Sequence, residues 1–174
     1  MTQISITKAS LADTQTLVSI GRETFFETFA EGNTQENMQK FLDETFTEDK
    51  VRAEISNPDS LHYIAWEGEV AIGYLKLNHA AAQTELQDEN SLEIARIYVK
   101  SAYHGKQVGQ LLFEKALAVA AELGKSSIWL GVWEENPRAI RFYEKNGFTV
   151  FDKHTFIVGD DEQTDLLMKK IIRS

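Results

Sequence analysis

Arg96-Ile-Tyr-Val-Lys-Ser-Ala-Tyr-His-Gly-Lys-Gln-Val-Gly-Gln110, running into Leu111-Leu112-Phe113, is the stretch on which the fold turns. Ile97, Tyr98 and Val99 end a run of strand formers that begins at Ser91. Gly105 and Gly109 punctuate a short loop. Leu112, Ala116, Val119 and Leu123 then recur at helical spacing as far as Gly124. A strand, a glycine-bearing loop and a helix start together make an anion site. The first N–H groups of the helix lack intrahelical partners and carry positive partial charge. Glycine lets an anion approach the main chain closely. From Ile94 to Phe113 there is no acid, while Arg96, Lys100 and Lys106 give +3 in a chain of net charge −9. Spacing alone leaves open an ordinary loop with solvated lysines. Neither Gly-x-Gly-x-x-Gly nor Gly-x-x-x-x-Gly-Lys-Ser/Thr occurs, which removes the dinucleotide-fold and P-loop readings.

Working outward, Ile4 and Ile6 alternate with polar residues as in a short strand. Ser10 caps a helix over about 11–30, in which Leu17, Ile20, Phe25, Phe26 and Phe29 read as core. Segments 34–44 and 47–56 read as two further helices. Leu61–Trp66 and Val70–Leu77 flank Glu67-Gly68-Glu69 as a hairpin, and a polar loop covers about 80–90. Ser127–Val132 is a buried strand. Asn136-Pro137 starts a helix, with Asn as cap and Pro in the first turn, and Gly147 stops it. Phe148–Phe151 and Thr164–Ile172 complete the strands. The order predicts an α/β (α+β) fold: a single domain over 1–174, with a mixed, mostly antiparallel central sheet flanked by helices.

With 174 residues, 43% of them hydrophobic and only two prolines, the chain has the composition of an ordinary globular domain. There is no cysteine, which excludes disulfides, thiolate metal sites and a cysteine nucleophile. The four histidines stand apart, so no metal is expected. The acidic balance disfavours nucleic acid as a partner. No apolar run approaches a membrane span or a signal peptide, which points to a cytoplasmic location.

A second constellation is Asn136-Pro-Arg-Ala139-Ile-Arg-Phe142-Tyr143-Glu-Lys-Asn-Gly147-Phe148. Ala139, Phe142 and Tyr143 share a helix face, as core residues also would. The two constellations, in this order with a strand between them, resemble the GNAT acetyltransferase superfamily. Its loop pattern, Gln/Arg-x-x-Gly-x-Gly/Ala, falls on His104–Gly109, with His104 in place of Gln/Arg and Gln107 in place of the first Gly. Its helix pattern, Asn-x-x-Ala-x-x-Phe-Tyr-x-x-x-Gly-Phe, is met at every position. Glu23-Thr-Phe25, Thr28-Phe29, Leu92-Glu93-Ile94, Arg96-Ile97-Tyr98, Ile128–Glu134 and Gly159–Leu166 further resemble the Pai-type bacterial spermidine/spermine N-acetyltransferases.

The resemblance implies direct attack of a primary amine, a polyamine such as spermidine or spermine, on the thioester of acetyl-CoA. It implies that His104, Gly105, Lys106, Gln107, Val108, Gly109 and Gln110 hold the pyrophosphate. The pantetheine arm would run beside Ile97, Tyr98 and Val99, near Asn136. Tyr143 would protonate the leaving thiolate. A protonated amine is no nucleophile, so a base or a water path must take its proton. Glu93 is the candidate, Glu134 the alternative, and water relays a third possibility. Glu93 could instead be a surface salt-bridge partner of Arg96 or a lysine. Asp160, Asp161, Glu162 and Asp165, with Glu85, Asp88 and Glu89, could focus a cation or simply be solvated. A protein N-terminal or lysine acetyltransferase and a non-catalytic CoA-binding regulator remain open, as does a homodimer.

Overall fold

The computed structural model describes residues 3–84, 87–158 and 160–172. β1 (Ile4–Lys8) leads through a short 3-10 turn into α1 (Thr14–Phe29), α2 (Gln35–Thr45) and α3 (Glu48–Ser56). β2 (Ser60–Glu67), β3 (Val70–Asn78) and β4 (Ser91–Val99) follow. α4 (Val108–Glu122), β5 (Ser127–Trp133), α5 (Pro137–Lys145), β6 (Thr149–Val158) and β7 (Asp161–Ile171) complete the order. The sheet runs β1-β2-β3-β4-β5-β7-β6, as predicted a mixed sheet flanked by helices. Every strand pair is antiparallel except β4 with β5. No described helix is long and apolar enough to cross a membrane.

Local signals account for the boundaries. Asp13 accepts from the Ser10 N–H (2.9 Å), so Ser10 opens the first turn as expected. Thr34 and Thr47 accept from Asn37 N–H (3.1 Å) and Lys50 N–H (3.2 Å), capping α2 and α3. Gly124, at φ +71°, ends α4. Phe26 departs from its expected core place and is 51% exposed, because one step of about 100° carries it off the face shared by Phe25 and Phe29. β6 and β7 are longer than the expected 148–151 and 164–172, and pair from Thr149↔Lys169 out to Val158↔Asp161. At a sheet edge, polar residues such as Asp152, Lys153 and Thr155 face solvent without leaving the strand.

Two apolar layers sandwich the sheet. Leu92, Ile94, Leu112, Phe113, Ala116, Ile128, Leu130 and Met168 bury together on the α4/α5 side. Leu17, Ile20, Phe25, Phe29, Met38, Leu42, Phe46, Ile64, Tyr74 and Trp133 do so under α1–α3. The sheet splits at its centre. β4 pairs with β5 only from Ser91↔Ser127 to Ile94↔Leu130, although both strands continue. Lys76 lies opposite Arg96 and Leu77 opposite Ile94, so Ala95 is an extra, bulged residue. The bulge lies where the two strands part, and it reverses the side-chain alternation. Ile97 and Val99 therefore join the α4/α5 layer with Ile94, while Tyr98 joins the α1–α3 layer.

Candidate active site

The split opens into a cavity of about 870 Å³. One wall is β4 from Ile94 to Val99, and the other is β5 from Leu130 to Trp133. The loop and first turn of α4 enter through His104, Gly105, Gln107, Val108, Gly109 and Gln110. α5 contributes Asn136 at its cap, then Arg138, Ala139, Phe142, Tyr143 and Lys145. On the other side lie Phe25, Phe29, Phe41, Phe46, Phe156 and Asp165.

The loop is shaped for an anion. Gly105 (φ +80°) and Gln107 (φ +69°) are both left-handed. The position where the loop pattern has glycine thus keeps the conformation glycine favours, even with Gln107 there. Gly105 adds a second left-handed residue and does not replace the first. The helical ladder begins with Leu111 N–H donating to Gln107 C=O (3.1 Å). The N–H groups of Val108, Gly109 and Gln110 precede it, and all three residues line the cavity. His104 Nε2 lies 2.8 Å from Val99 C=O. A carbonyl only accepts, so Nε2 carries the proton and fastens the loop to the end of β4.

The local +3 does not converge on this loop. Arg96 turns to the opposite layer and forms two bonds with the Glu54 carboxylate (2.9 and 3.2 Å). Lys100 pairs with Glu23 (3.4 Å). Lys106 does not line the cavity, and its ammonium sits 5.4 Å over the Tyr103 ring. The side-chain cations along the α5 wall are instead Arg138 and Lys145, which the sequence reading missed. With Phe142 they form an i, i+4, i+7 row, a readable signal.

Asn136 accepts from Ala139 N–H (3.2 Å), as expected of the cap. It thereby fixes α5 so that Tyr143 reaches the cavity. Tyr143 is 7% exposed and packs edge-on against Phe142 and Phe148. Burial pushes its hydroxyl well above the usual tyrosine range, so it stays protonated at neutral pH.

Glu93 is not brought to the cavity. It is 4% exposed, and its carboxylate accepts from Thr84 N–H (2.9 Å), Thr84 Oγ1 (2.7 Å) and Asn78 Nδ2 (3.3 Å). It lies on the paired side of the bulge, before the strands part, and ties down the loop after β3. Glu134 is exposed and does not line the cavity either. Of the described acids expected to focus a cation, only Asp165 lines it. Asp160 and Asp161 flank a separate surface pocket beside Glu31 and Asn37. Asp88 accepts from Asn90 N–H (2.9 Å) in a turn. Glu85 and Gly159 lie outside the described residues.

Under α3, Glu54 bridges Arg96 and Lys76 (3.4 Å). Burial alone would raise the Glu54 carboxyl, but Arg96 and Lys76 outweigh it and hold it low. Arg96 also lies 4.9 Å over the Phe46 ring and reaches the cavity wall.

The family described as Acetyltransferase (GNAT) family matches residues 22–148. Over 173 residues the chain is 46% identical to an uncharacterized N-acetyltransferase of Lactobacillus delbrueckii subsp. lactis, covering 99% of each. It is 29% identical over 171 residues to a protein of Thermoplasma acidophilum named spermidine N(1)-acetyltransferase, covering 96% of each. The crystal structure of the PaiA N-acetyltransferase of that organism, in complex with coenzyme A, is similar with a TM-score of 0.81 and 29% identity. The likeness covers 97% of this chain and 99% of that one.

Proposed function

The chain belongs to the acetyltransferase (GNAT) family, and on that premise we propose that residues 1–174 form one N-acetyltransferase domain whose acceptor is a polyamine such as spermidine or spermine. Acetyl-CoA is the donor, and it supplies an acyl group activated as a thioester. The chain's own residues do the rest. The N–H groups of Gly105 to Gln110 receive the pyrophosphate, with Arg138 and Lys145 adding positive charge along the same wall. The edge of β4 that β5 leaves open from Ile97 to Val99, still paired with β3 on its other side, offers backbone to the pantetheine arm beside Asn136. Tyr143 keeps its proton until the thiolate leaves and then donates it.

The observation that carries the acceptor reading is the far half of the cavity. Its walls are the rings of Phe25, Phe29, Phe41, Phe46, Trp133 and Phe156, and a carboxylate, Asp165, reaches in among them. Aromatic faces and one anion are what an aliphatic ammonium needs. The named relative at 29% identity supports the same acceptor. The test is thiol release from acetyl-CoA across spermidine, spermine, amino acids and peptides. Polyamines should turn over fastest, and their rate should fall as salt rises. Turnover of peptides with none of polyamines would replace this reading with a protein acetyltransferase.

A further inference from the structure

With Glu93 and Glu134 both away from the cavity, the proton of the incoming ammonium needs another destination. Among the described residues lining the cavity, the carboxylates are Glu27 and Asp165. Glu27 is committed elsewhere: its oxygens accept from Ser101 N–H (3.0 Å) and Ser101 Oγ (2.7 Å), fastening α1 to the loop after β4.

Asp165 lines the cavity from β7. It pairs with Trp133 across β5 and β7. Alternation along β5 sends Ile128, Leu130 and Val132 to the α4/α5 layer and Trp133 to the other. Gly131 therefore faces the same side as Trp133. It is the first β5 residue beyond the last pair with β4, and it is exposed despite its place in an inner strand. The Asp165 carboxylate leans over this bare floor: a Cβ on Gly131 would meet Asp165 Oδ2 at 3.2 Å. The aromatic wall beside it is fixed. Trp133 Nε1 donates to Gln163 Oε1 (2.7 Å), its ring lies 4.9 Å from Phe29, and Phe156 lies 6.4 Å from Phe29. Tyr143 enters from the α5 side of the same split. Donor and acceptor groups thus come to the split from opposite layers of the sheet.

We propose that Asp165 receives the acceptor's ammonium and takes its proton as the nitrogen attacks the thioester. The inference rests on the acetyltransferase reading, though not on the acceptor being a polyamine. The ammonium gives one proton to the Asp165 carboxylate, and the freed nitrogen lone pair bonds to the thioester carbonyl carbon. The C–S bond then breaks. Tyr143 protonates the departing sulfur and recovers a proton from the new amide nitrogen. The proton on Asp165 passes to water, so amine, thioester and both side chains balance. Facing Asp165 from the packed elements are His154 of β6, with Nε2 at 3.7 Å from Oδ2, and the Tyr98 hydroxyl of β4. Arg96 and Tyr143 act on that same hydroxyl.

The test compares Asp165→Asn and Asp165→Glu with the parent, using whichever amine of the panel the parent turns over fastest. At pH 7 Asp165→Asn should lose roughly 10²–10⁴-fold in kcat/KM, the usual worth of a positioned base, with CoA affinity by titration within twofold. Its deficit should shrink about tenfold per pH unit toward pH ~10, where the amine deprotonates unaided. Asp165→Glu keeps a carboxylate and should keep the parent's flatter pH profile at reduced rate. A deficit of equal size at every pH, or an Asp165→Asn variant within threefold of the parent, overturns the assignment. A parent that acetylates none of the amines defeats the acetyltransferase reading itself and takes this inference with it. Turnover of peptides alone defeats only the polyamine acceptor.

Discussion

The two faces of the sheet are built on different terms. On the α4/α5 face the buried layer is hydrophobic, and the ligand-directed groups are main-chain N–H groups of one short loop with the Tyr143 hydroxyl and the Arg138 and Lys145 cations of α5. On the α1–α3 face, titratable groups are mixed into the aromatics: Glu54 of α3 lies close to Lys76, Arg96 and His62. Lys76 and Arg96 are directly opposite one another on β3 and β4, a like-charge pair that repels. Glu54, brought by α3, lies against both. The donor side can thus be assembled from two short contiguous stretches, whereas the acceptor side needs three remote segments to meet.

The largest effect should come from the donor side. Tyr143→Phe keeps the ring and its packing on Phe142 and Phe148 and removes only the hydroxyl. We expect kcat to fall roughly 10²–10⁴-fold, with melting temperature and CoA affinity little changed. Steady-state kinetics with a thermal melt checks this. A kcat within about threefold, with chemistry rate-limiting, would make Tyr143 a packing residue only.

The acceptor side should break through stability instead. Glu54→Gln leaves Arg96 and Lys76 facing each other beneath α3. Loss of one member of a buried cluster costs about 3 kcal/mol, the low end of the range because Glu54 keeps 24% of its side-chain surface. That corresponds to roughly 10 °C in melting temperature for a chain of this size. Methionine at 76 in the same background should recover part of the loss. No change in melting temperature would show that the three charges do not act as a unit.

His62 sharpens the same contrast through pH. Burial, and then the Lys76 charge, depress it to about 4. Its folded value lies below the unfolded value of about 6.5, so between those two the unfolded chain binds more protons. Stability contributed by neutral His62 is therefore complete above about pH 6.5 and is lost as pH falls toward 4. The fall from pH 7.5 to 5 amounts to about 2 kcal/mol for this group. His62→Gln should lose less stability over that range than the parent, measured by urea unfolding at each pH. Parallel curves would refute the depressed value.

What sequence could reveal follows the same division. The loop from His104 to Gly109 and the helix from Asn136 to Gly147 carry their signals within a dozen residues each, and both line the cavity. In sequence Arg96 counts toward the charge beside the loop, and simple alternation would put it on one face with Ile94. The bulge at Ala95 separates them, and no local residue announces it. Glu93 looked available because its partners, Asn78 and Thr84, come from a strand and a loop paired only in three dimensions. Asp165 read as one acid in an acidic run. Only its register with Trp133, over the bare Gly131, sets it apart from Asp160 and Asp161.

The smallest effect returns to the donor loop and concerns its one departure in backbone type. Gln107 holds φ +69° with an exposed side chain, and a non-glycine residue pays roughly 1 kcal/mol in that region. Gln107→Gly removes the clash but gives the unfolded chain more freedom, worth roughly 0.5 kcal/mol the other way. The balance is a stabilisation of about 0.5 kcal/mol, or 1–2 °C by thermal melt. Gly105→Ala runs in the opposite direction. At φ +80° an added Cβ meets no atom within 4 Å, so its cost is conformational alone, about 1 kcal/mol. Two exposed loop positions of one conformation should thus respond with opposite signs. If Gln107→Gly lowers the melting temperature by more than 2 °C, the Gln107 side chain supplies a contact that outweighs its strain. If the signs hold, the N–H groups before Leu111 are positioned by backbone geometry, and CoA affinity should rise slightly with glycine at 107.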